Sequence, residues 1–390
     1  MKKYSLFAIL LFLCLSVWSQ IPISPQCEIS VITIGPGTSL NDAFGHNAFR
    51  IKDETRGIDT VYGYGEYDFD TPNFYLKFAQ GKLNYLISKE AFSRFYRRYT
   101  YFDRTIEEQV LNLTIKQKQD LYNYLTTNYK PENRAYLYDF FFDNCATKIR
   151  DVVQTSTDET TMFHTPKDYT SKTFRQLIHQ HTGHNTWGSV GIDIALGSVI
   201  DRKATPDEFM FLPNYIHSFF SEAKMLNDAP LVKSSKAIYK SSSLGYKTFS
   251  FFSPFIVLSI IGLLILYRTY LDYKKGKRTK WLDTLIFFIT GFIGIGILFL
   301  WFGTDHSATK YNYNLLWAFP LNIILIFNFS KKLKTNWIKG FLKFLIILMT
   351  LMTLHWIIGL QIFGITLIPL LFAFLLRYIF LLRLTKVENN

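Results

Sequence analysis

YDFFFDNCATKIRD, residues 138–151, sets a cysteine where an aromatic run stops and a helix begins. Asp143 or Asn144 can cap a helix running from Ala146 to about Gln154, because either side-chain oxygen can accept hydrogen bonds from the free amides of the first turn. Cys145 then lies in that first turn. There the helix dipole and unpaired amides stabilise a thiolate, and a neighbouring histidine lowers the thiol pKa further, from ~8.5 toward neutral or below. The same amides can receive the oxyanion of a tetrahedral intermediate, so position alone supplies a nucleophile and an oxyanion hole.

The remaining need is a base. His46 is the best placed histidine, after a flexible glycine at the mouth of the strand HNAFRIKD, residues 46–53. The period of two puts Phe49 and Ile51 on one face and His46, Ala48 and Arg50 on the other, less apolar one. A packing role is the alternative: Cys145, Ile149 and Val152 recur at helical spacing, as a small buried hydrophobe would, and His46 can be a satisfied histidine at a strand end.

Working outward, the N-terminus MKKYSLFAILLFLCLSVWSQ has two lysines, an apolar stretch and then small and polar residues, the build of a signal peptide over residues 1–20. Cys14 leaves with it. Of the three cysteines, Cys27 and Cys145 remain in a compartment where disulfides form. Cys27 falls a few residues past the cleavage point, in a segment expected to fray, so a bridge would pin little and Cys145 is expected as a free thiol.

From Phe251 the composition changes. Apolar spans at roughly 251–270, 282–303, 315–330, 341–360 and 364–382 predict a five-helix transmembrane domain over 251–390. The linking segments RTYLDYKKGKRTK (268–280) and KKLKTNWIK (331–339) are basic, whereas GTDHSATKYNYN (303–314) is nearly uncharged. By the positive-inside rule the basic loops are cytoplasmic, which puts residues 21–222 and a tether over 223–250 on the periplasmic side, as the signal peptide also requires. Much of the net charge of +13 lies in those loops, facing anionic headgroups, so the charge argues for a membrane and against nucleic acid.

The segment 21–222 reads as α+β. CEISVITIG and the pair 46–53 and 58–69 are strand-like, 72–130 turns helical with a capping box at Thr114 and Gln117, and a strand at about 105–113 interrupts it. Residues 164–222 form a helical extension. The aromatic content of 17% reads as core packing plus an apron against the bilayer, with a lipid-binding groove as the sharper alternative. His179, His181 and His184 cluster, but no cysteine or acidic ligand stands at useful spacing, so no metal and no cofactor is expected. His306 follows Asp305 in the periplasmic loop between the second and third spans and can reach headgroups or substrate. His355 sits near the periplasmic end of the fourth span, beside Trp356, and Arg377 near the cytoplasmic end of the fifth can snorkel.

AFGHNAFRI (43–51), YGEYDFDTPNFYLKFAQGKLNY (64–85), YLYDFFFDNCATKIRD (136–151) and GIDIALGSVIDRKATPDEFMFLPNYI (191–216) resemble, in this order, the periplasmic domain of the Lnb lipoprotein N-acyltransferase family. TDHSATKYNYNLLWAFPLN (304–322) extends the resemblance into the membrane part. It implies a circularly permuted papain-like fold similar to the lecithin:retinol acyltransferase group, with the histidine ahead of the cysteine. It implies His46 as base and Cys145 as nucleophile. A polar residue on the next strand would hold the imidazole; Tyr62, Tyr64 and Asp68 are available, and Tyr64 is the choice. The implied reaction moves an acyl chain from a phospholipid, through a Cys145 thioester, to the α-amino group of a diacylglyceryl-cysteine lipoprotein, at the bacterial inner membrane. A membrane-anchored cysteine hydrolase, phospholipase or peptidase, would use the same pair, and a lipid-binding envelope protein would use neither.

Overall fold

The computed structural model describes residues 22–242, 250–329 and 336–387; the signal peptide expected over 1–20 lies outside them. Seven strands form one antiparallel sheet: β1 Glu28–Ile34, β2 His46–Asp53, β3 Ile58–Glu66, β4 Asn84–Ala91, β5 Ile106–Leu111, β6 Ala135–Leu137 and β7 Val232–Tyr239, in the order β6-β4-β3-β2-β1-β5-β7. The helices of this part are α1 Phe74–Gln80, α2 Phe92–Tyr101, α3 Ile115–Asn128, α4 Cys145–Ser156, α5 Phe174–Thr182, α6 Trp187–Ala195, α7 Pro206–Phe209 and α8 Pro213–Glu222. Thr114 and Gln117 make the capping box of α3 in both directions.

Strand alternation sends Val31, Phe49, Ile51, Tyr62 and Tyr64 to one core with Ile149 and Val152 of α4, and Ile32, Ala48 and Val61 to a second core under Phe95 of α2. The face of β2 expected to be less apolar is therefore covered as well. Arg50 stays charged there because it pairs with Asp59 at 2.7 Å and Glu108 at 3.0 Å and lies over the Phe92 ring. Two further expectations change. Cys27 is fully buried and unbridged, not frayed, because Ser24 donates two hydrogen bonds to Asp53 and Lys118 reaches the Cys27 carbonyl. Within the expected tether 223–250, β7 instead pairs with β5 and closes that edge of the sheet.

Four helices among the described residues are long and apolar enough to cross a membrane: α9 Pro254–Lys275, α10 Lys280–Phe302, α12 Asn336–Ile357 and a last span over Ile365–Thr385, most of it in α13 Ile368–Val387. The span expected at 315–330 differs. Its only α-helix among the described residues is α11, Asn322–Phe329, which follows a 3-10 turn at Tyr313–Leu316 and an irregular stretch containing Pro320. That stretch lies on α10, where a side-chain carbon at Gly294 would fall 2.1 Å from the Ala318 carbonyl oxygen, and Asn322 donates to Thr290 at 2.8 Å. Irregular backbone is tolerated at membrane depth when protein covers it in this way. Arg377 does not snorkel. It is fully buried, with Nε 2.7 Å from Asp283 and Nη1 2.8 Å from Asp272, and ties α13 to both helices of the α9–α10 hairpin. His355 stays near the periplasmic end of α12, against the Tyr313 ring.

The periplasmic part and the bundle are joined by hydrogen bonds and not by apolar contact alone. Asn314 and Asn312 donate to the carbonyls of Asp193, Ile194 and Ala195 at the end of α6. Gly197 N–H donates to Ala308 O and Ser198 N–H to Tyr311 O. A β-carbon at Gly197 would lie 1.8 Å from the Lys310 carbonyl oxygen, whereas one at Gly191, on the exposed side of α6, would meet nothing within 4 Å. Gly197→Ala is therefore expected to destabilise the detergent-solubilised protein by about 1–3 kcal/mol through overpacking. Gly191→Ala should leave it unchanged or raise it by roughly 0.5–1 kcal/mol, as alanine does inside a helix. Equal unfolding midpoints for the two variants would contradict this junction.

Candidate active site

Helix α4 begins at Cys145 because Asn144 caps it. The Asn144 Oδ1 accepts from the amides of Ala146 at 2.8 Å and Thr147 at 2.9 Å, the Asn144 amide donates to Thr147 Oγ1, and Nδ2 donates to the carbonyls of Phe140 and Phe211. All its capacity is used, so Asn144 holds the turn and has no proton left for an oxyanion. Asp143, the other expected cap, pairs with Lys148 at 2.6 Å, and its backbone bridges to Asp139.

The nucleophile and base candidates both approach β3 at a feature the sequence reading passed over, the two glycines of YGYGE. A side-chain carbon on Gly63 would lie 3.3 Å from His46 Nε2, and one on Gly65 would lie 3.8 Å from Cys145 Cβ. Gly65 has φ +94° at a register shift between β3 and β4, a conformation open to glycine and strained for other residues. Two residues along a strand span only ~6.6 Å. His46 and Cys145 thus approach neighbouring points of one strand, and both line one cavity of about 590 Å³. The backbone amides of Asn47, Cys145 and Ala146 face the thiol closely enough to favour its anion; the Asn47 amide, contributed by the residue after His46, was not foreseen.

Tyr64 does not orient the imidazole. Although it borders the cavity, its hydroxyl donates to Asn128 at 2.7 Å and its ring meets Tyr136 edge-on in the core under α4. Tyr62 is buried against Tyr129 in the same core, and Asp68 caps its own turn through the Asp70 amide. Among the described residues no group hydrogen-bonds the His46 ring. Its neighbour is Tyr99, stacked at 6.5 Å and 22°, with Arg98 and Arg104 over the same tyrosine ring.

These surroundings set the protonation states. Burial, then Arg104 and Arg98, push the His46 pKa down to about 4. Burial pushes the Cys145 thiol up, and the three amides and Arg104 only partly offset it. The expected low-pKa thiolate is corrected on this point: aromatic walls desolvate the thiol more than the helix start stabilises its anion. The resting pair is neutral thiol and neutral imidazole.

The cavity is completed by the membrane part. Asp305, His306, Ser307, Ala308 and Thr309 line it together with Cys145, although about 160 residues separate them in sequence. Ser307 Oγ donates to Asp139 Oδ2 at 2.7 Å, Asp305 N donates to Gln80 O at 2.8 Å, and a β-carbon on Gly81 would meet His306 at 3.1 Å. Asp139, Tyr138, Tyr85 and Tyr67 also line it and were not anticipated in the sequence. The histidine cluster is elsewhere: His179 binds Asp193 within the buried Arg175, Asp193 and Asp201 network, His181 meets the Ala43 carbonyl, and His184 stacks on His179.

Two family models match the chain, the Lnb N-terminal periplasmic domain over residues 17–180 and the Lnb transmembrane domain over residues 246–389. No curated protein and no solved structure matches it.

A neutral resting pair has a measurable signature. Alkylation of Cys145 by iodoacetamide in the solubilised full-length protein is expected to be slow at pH 7 and to climb only above the ordinary thiol range. With His46 down at about 4, the imidazole stays unprotonated down to about pH 5, so no histidine step should appear between pH 5 and 8. A rate already at its plateau by pH 6 would show a preformed ion pair and contradict the geometry.

Proposed function

The chain belongs to the Lnb family, and from that premise we propose that it is a lipoprotein N-acyltransferase with Cys145 as nucleophile and His46 as base. The observation that carries the proposal is the position of both side chains at the Gly63 and Gly65 gap, in a cavity whose other wall is the periplasmic loop of a membrane bundle. Family membership supports a membrane protein with a periplasmic domain in lipoprotein processing. Cysteine chemistry, donor and acceptor are our reading.

In the first half-reaction the ester carbonyl of a phospholipid acyl chain enters beside Cys145. His46 takes the thiol proton as sulfur attacks, so the anion forms only as the new bond forms, as suits a desolvated neutral pair. The oxyanion is received by the amides of Cys145 and Asn47. Collapse breaks the ester C–O bond, His46 returns the proton to the leaving oxygen, and a lysophospholipid departs from an acyl thioester. In the second half the lipoprotein α-amino group attacks the thioester and gives a proton to His46. Expulsion of the Cys145 thiolate, reprotonated by His46, leaves an amide. An α-amine, pKa about 7.7–8.0, is substantially neutral at pH 7 to 8 and needs little activation.

The order of a histidine strand before a cysteine helix, on a sheet with helices on both faces, supports the permuted papain-like fold. Asp305 and His306 line the cavity on the side of the membrane loop and are proposed to contact the lipid headgroup or the acceptor. On this reading the protein works in the bacterial inner membrane with its catalytic domain in the periplasm.

The test is expression of wild type, Cys145→Ala and His46→Ala in cells depleted of their own lipoprotein N-acyltransferase, with mass spectrometry of a reporter lipoprotein. Wild type is expected to yield three acyl chains and both variants two. Three chains with Cys145→Ala would sink the thioester route, and two chains throughout would favour a hydrolase.

A further inference from the structure

Helix α1 carries an unusual surface for its size. Tyr75 is 79% exposed, Leu76 54%, Phe78 50%, and Phe69 before the helix 66%. Phe74 is buried and holds them as one cluster, with ring centroids 4.8 Å from Phe69, 5.3 Å from Tyr75 and 6.3 Å from Phe78. Lys77 is the only charged residue of the helix. A contiguous apolar patch of this kind marks a contact surface.

What it contacts follows from its place. The last residue of α1, Gln80, accepts the Asp305 amide at 2.8 Å, and Asp305 is three residues beyond Phe302, the end of α10. At most ~11 Å of chain separates α1 from the end of a bilayer span. Phe302 and Tyr311, both exposed, stand at that same end, as aromatic side chains do where bilayer meets water. On its other side the patch opens inward: Phe78 and Tyr67 line the Cys145 cavity together with Gly81 and the 305–309 loop. One helix therefore touches both the level of the headgroups and the candidate nucleophile's cavity.

We propose that α1 is a lipid portal: Phe69, Tyr75, Leu76 and Phe78 lie in the outer leaflet, and a donor phospholipid passes along the Phe78 and Tyr67 side of α1, next to the 305–309 loop, to bring its ester to Cys145. The portal rests on the acyltransferase reading for its purpose but not for its position. The bilayer is the occupant, since the patch adjoins the end of a membrane span and its exposed side chains are aromatic and aliphatic.

Two measurements test it on the full-length protein in phosphatidylethanolamine and phosphatidylglycerol vesicles. A spin label at Leu76→Cys, in a Cys145→Ala background where Cys27 is buried, is expected to be accessible to oxygen and shielded from a nickel chelate. The same label at Glu54→Cys, on an exposed turn, should show the reverse. A nickel-accessible label at position 76 overturns the portal and leaves the face to a protein partner. The second measurement is acylation of Cys145, read by mass spectrometry. Tyr75→Glu with Leu76→Glu, neither of which lines the cavity, should slow acylation from vesicles at least tenfold and leave acylation by water-soluble p-nitrophenyl acetate within twofold. Equal rates from vesicles, or equal losses with both donors, overturn the portal. Failure of the wild type to acquire an acyl group from either donor would instead overturn the acyltransferase reading, whatever the spin label reports.

Discussion

Three carbonyls at the end of α6, those of Asp193, Ile194 and Ala195, have no partner in their own helix and are satisfied by the side chains of Asn312 and Asn314. Buried carbonyls left without donors would be costly, so the periplasmic part and the membrane loop hold each other in one arrangement. The same turn is tied from beneath. Asp193 also binds Arg175 and His179, and Arg175 reaches Asp201 and the carbonyls of Leu196 and Gly197. From this junction the 303–312 loop continues to Ser307, which binds Asp139, the residue whose carboxylate also receives the Phe141 and Phe142 amides ahead of Cys145. The turn that carries Cys145 is thereby referenced to the bundle through a short run of hydrogen bonds.

The second constraint is space. Gly63 and Gly65 remove two side chains from β3 where His46 and Cys145 converge, and aromatic rings from the surrounding loops close the remaining volume. The helix start and its amides favour a thiolate, desolvation opposes it, and desolvation wins. For a transfer reaction that outcome has a use. A thiol that ionises only as a carbonyl arrives is less exposed to wasteful chemistry, and a site poor in water gives an amine the advantage over hydrolysis.

Much of this was legible in the sequence because its causes are local. The cap at Asn144, the strand carrying His46, the capping box of α3 and the apolar spans depend on residues within one or two turns, and hydropathy or spacing reports them directly. What was missed has its cause far away. Tyr64 was a reasonable orienting group by type, but its hydroxyl is taken up by Asn128. Arg377 looked like a snorkelling side chain until Asp272 and Asp283, about 100 residues earlier, came to meet it. The stretch 232–239 lacks a strand's apolar alternation because it is an exposed edge, so only its pairing with β5 identifies it. The span expected near 315 was apolar enough, but Pro320 and the close approach to Gly294 take its first half out of α-helix.

The membrane bundle has a role that a single anchor could not fill. An anchor raises the local concentration of a domain near lipid, and one helix would serve. It would not supply Asp305 to Thr309 as a wall of the cavity, nor place α1 by a hydrogen bond three residues from the end of a span. Those contacts require the loop between two spans to be held in shape, and the buried Asn312, Asn314 and Gln361 hold it from the bundle side. The proposed transfer between two lipids of one leaflet would need the thiol at a fixed height and a dry path to it. A loop locked at once to the bundle and to the Cys145 turn would meet both requirements, and the cavity lies where that loop, α1 and the Cys145 turn come together.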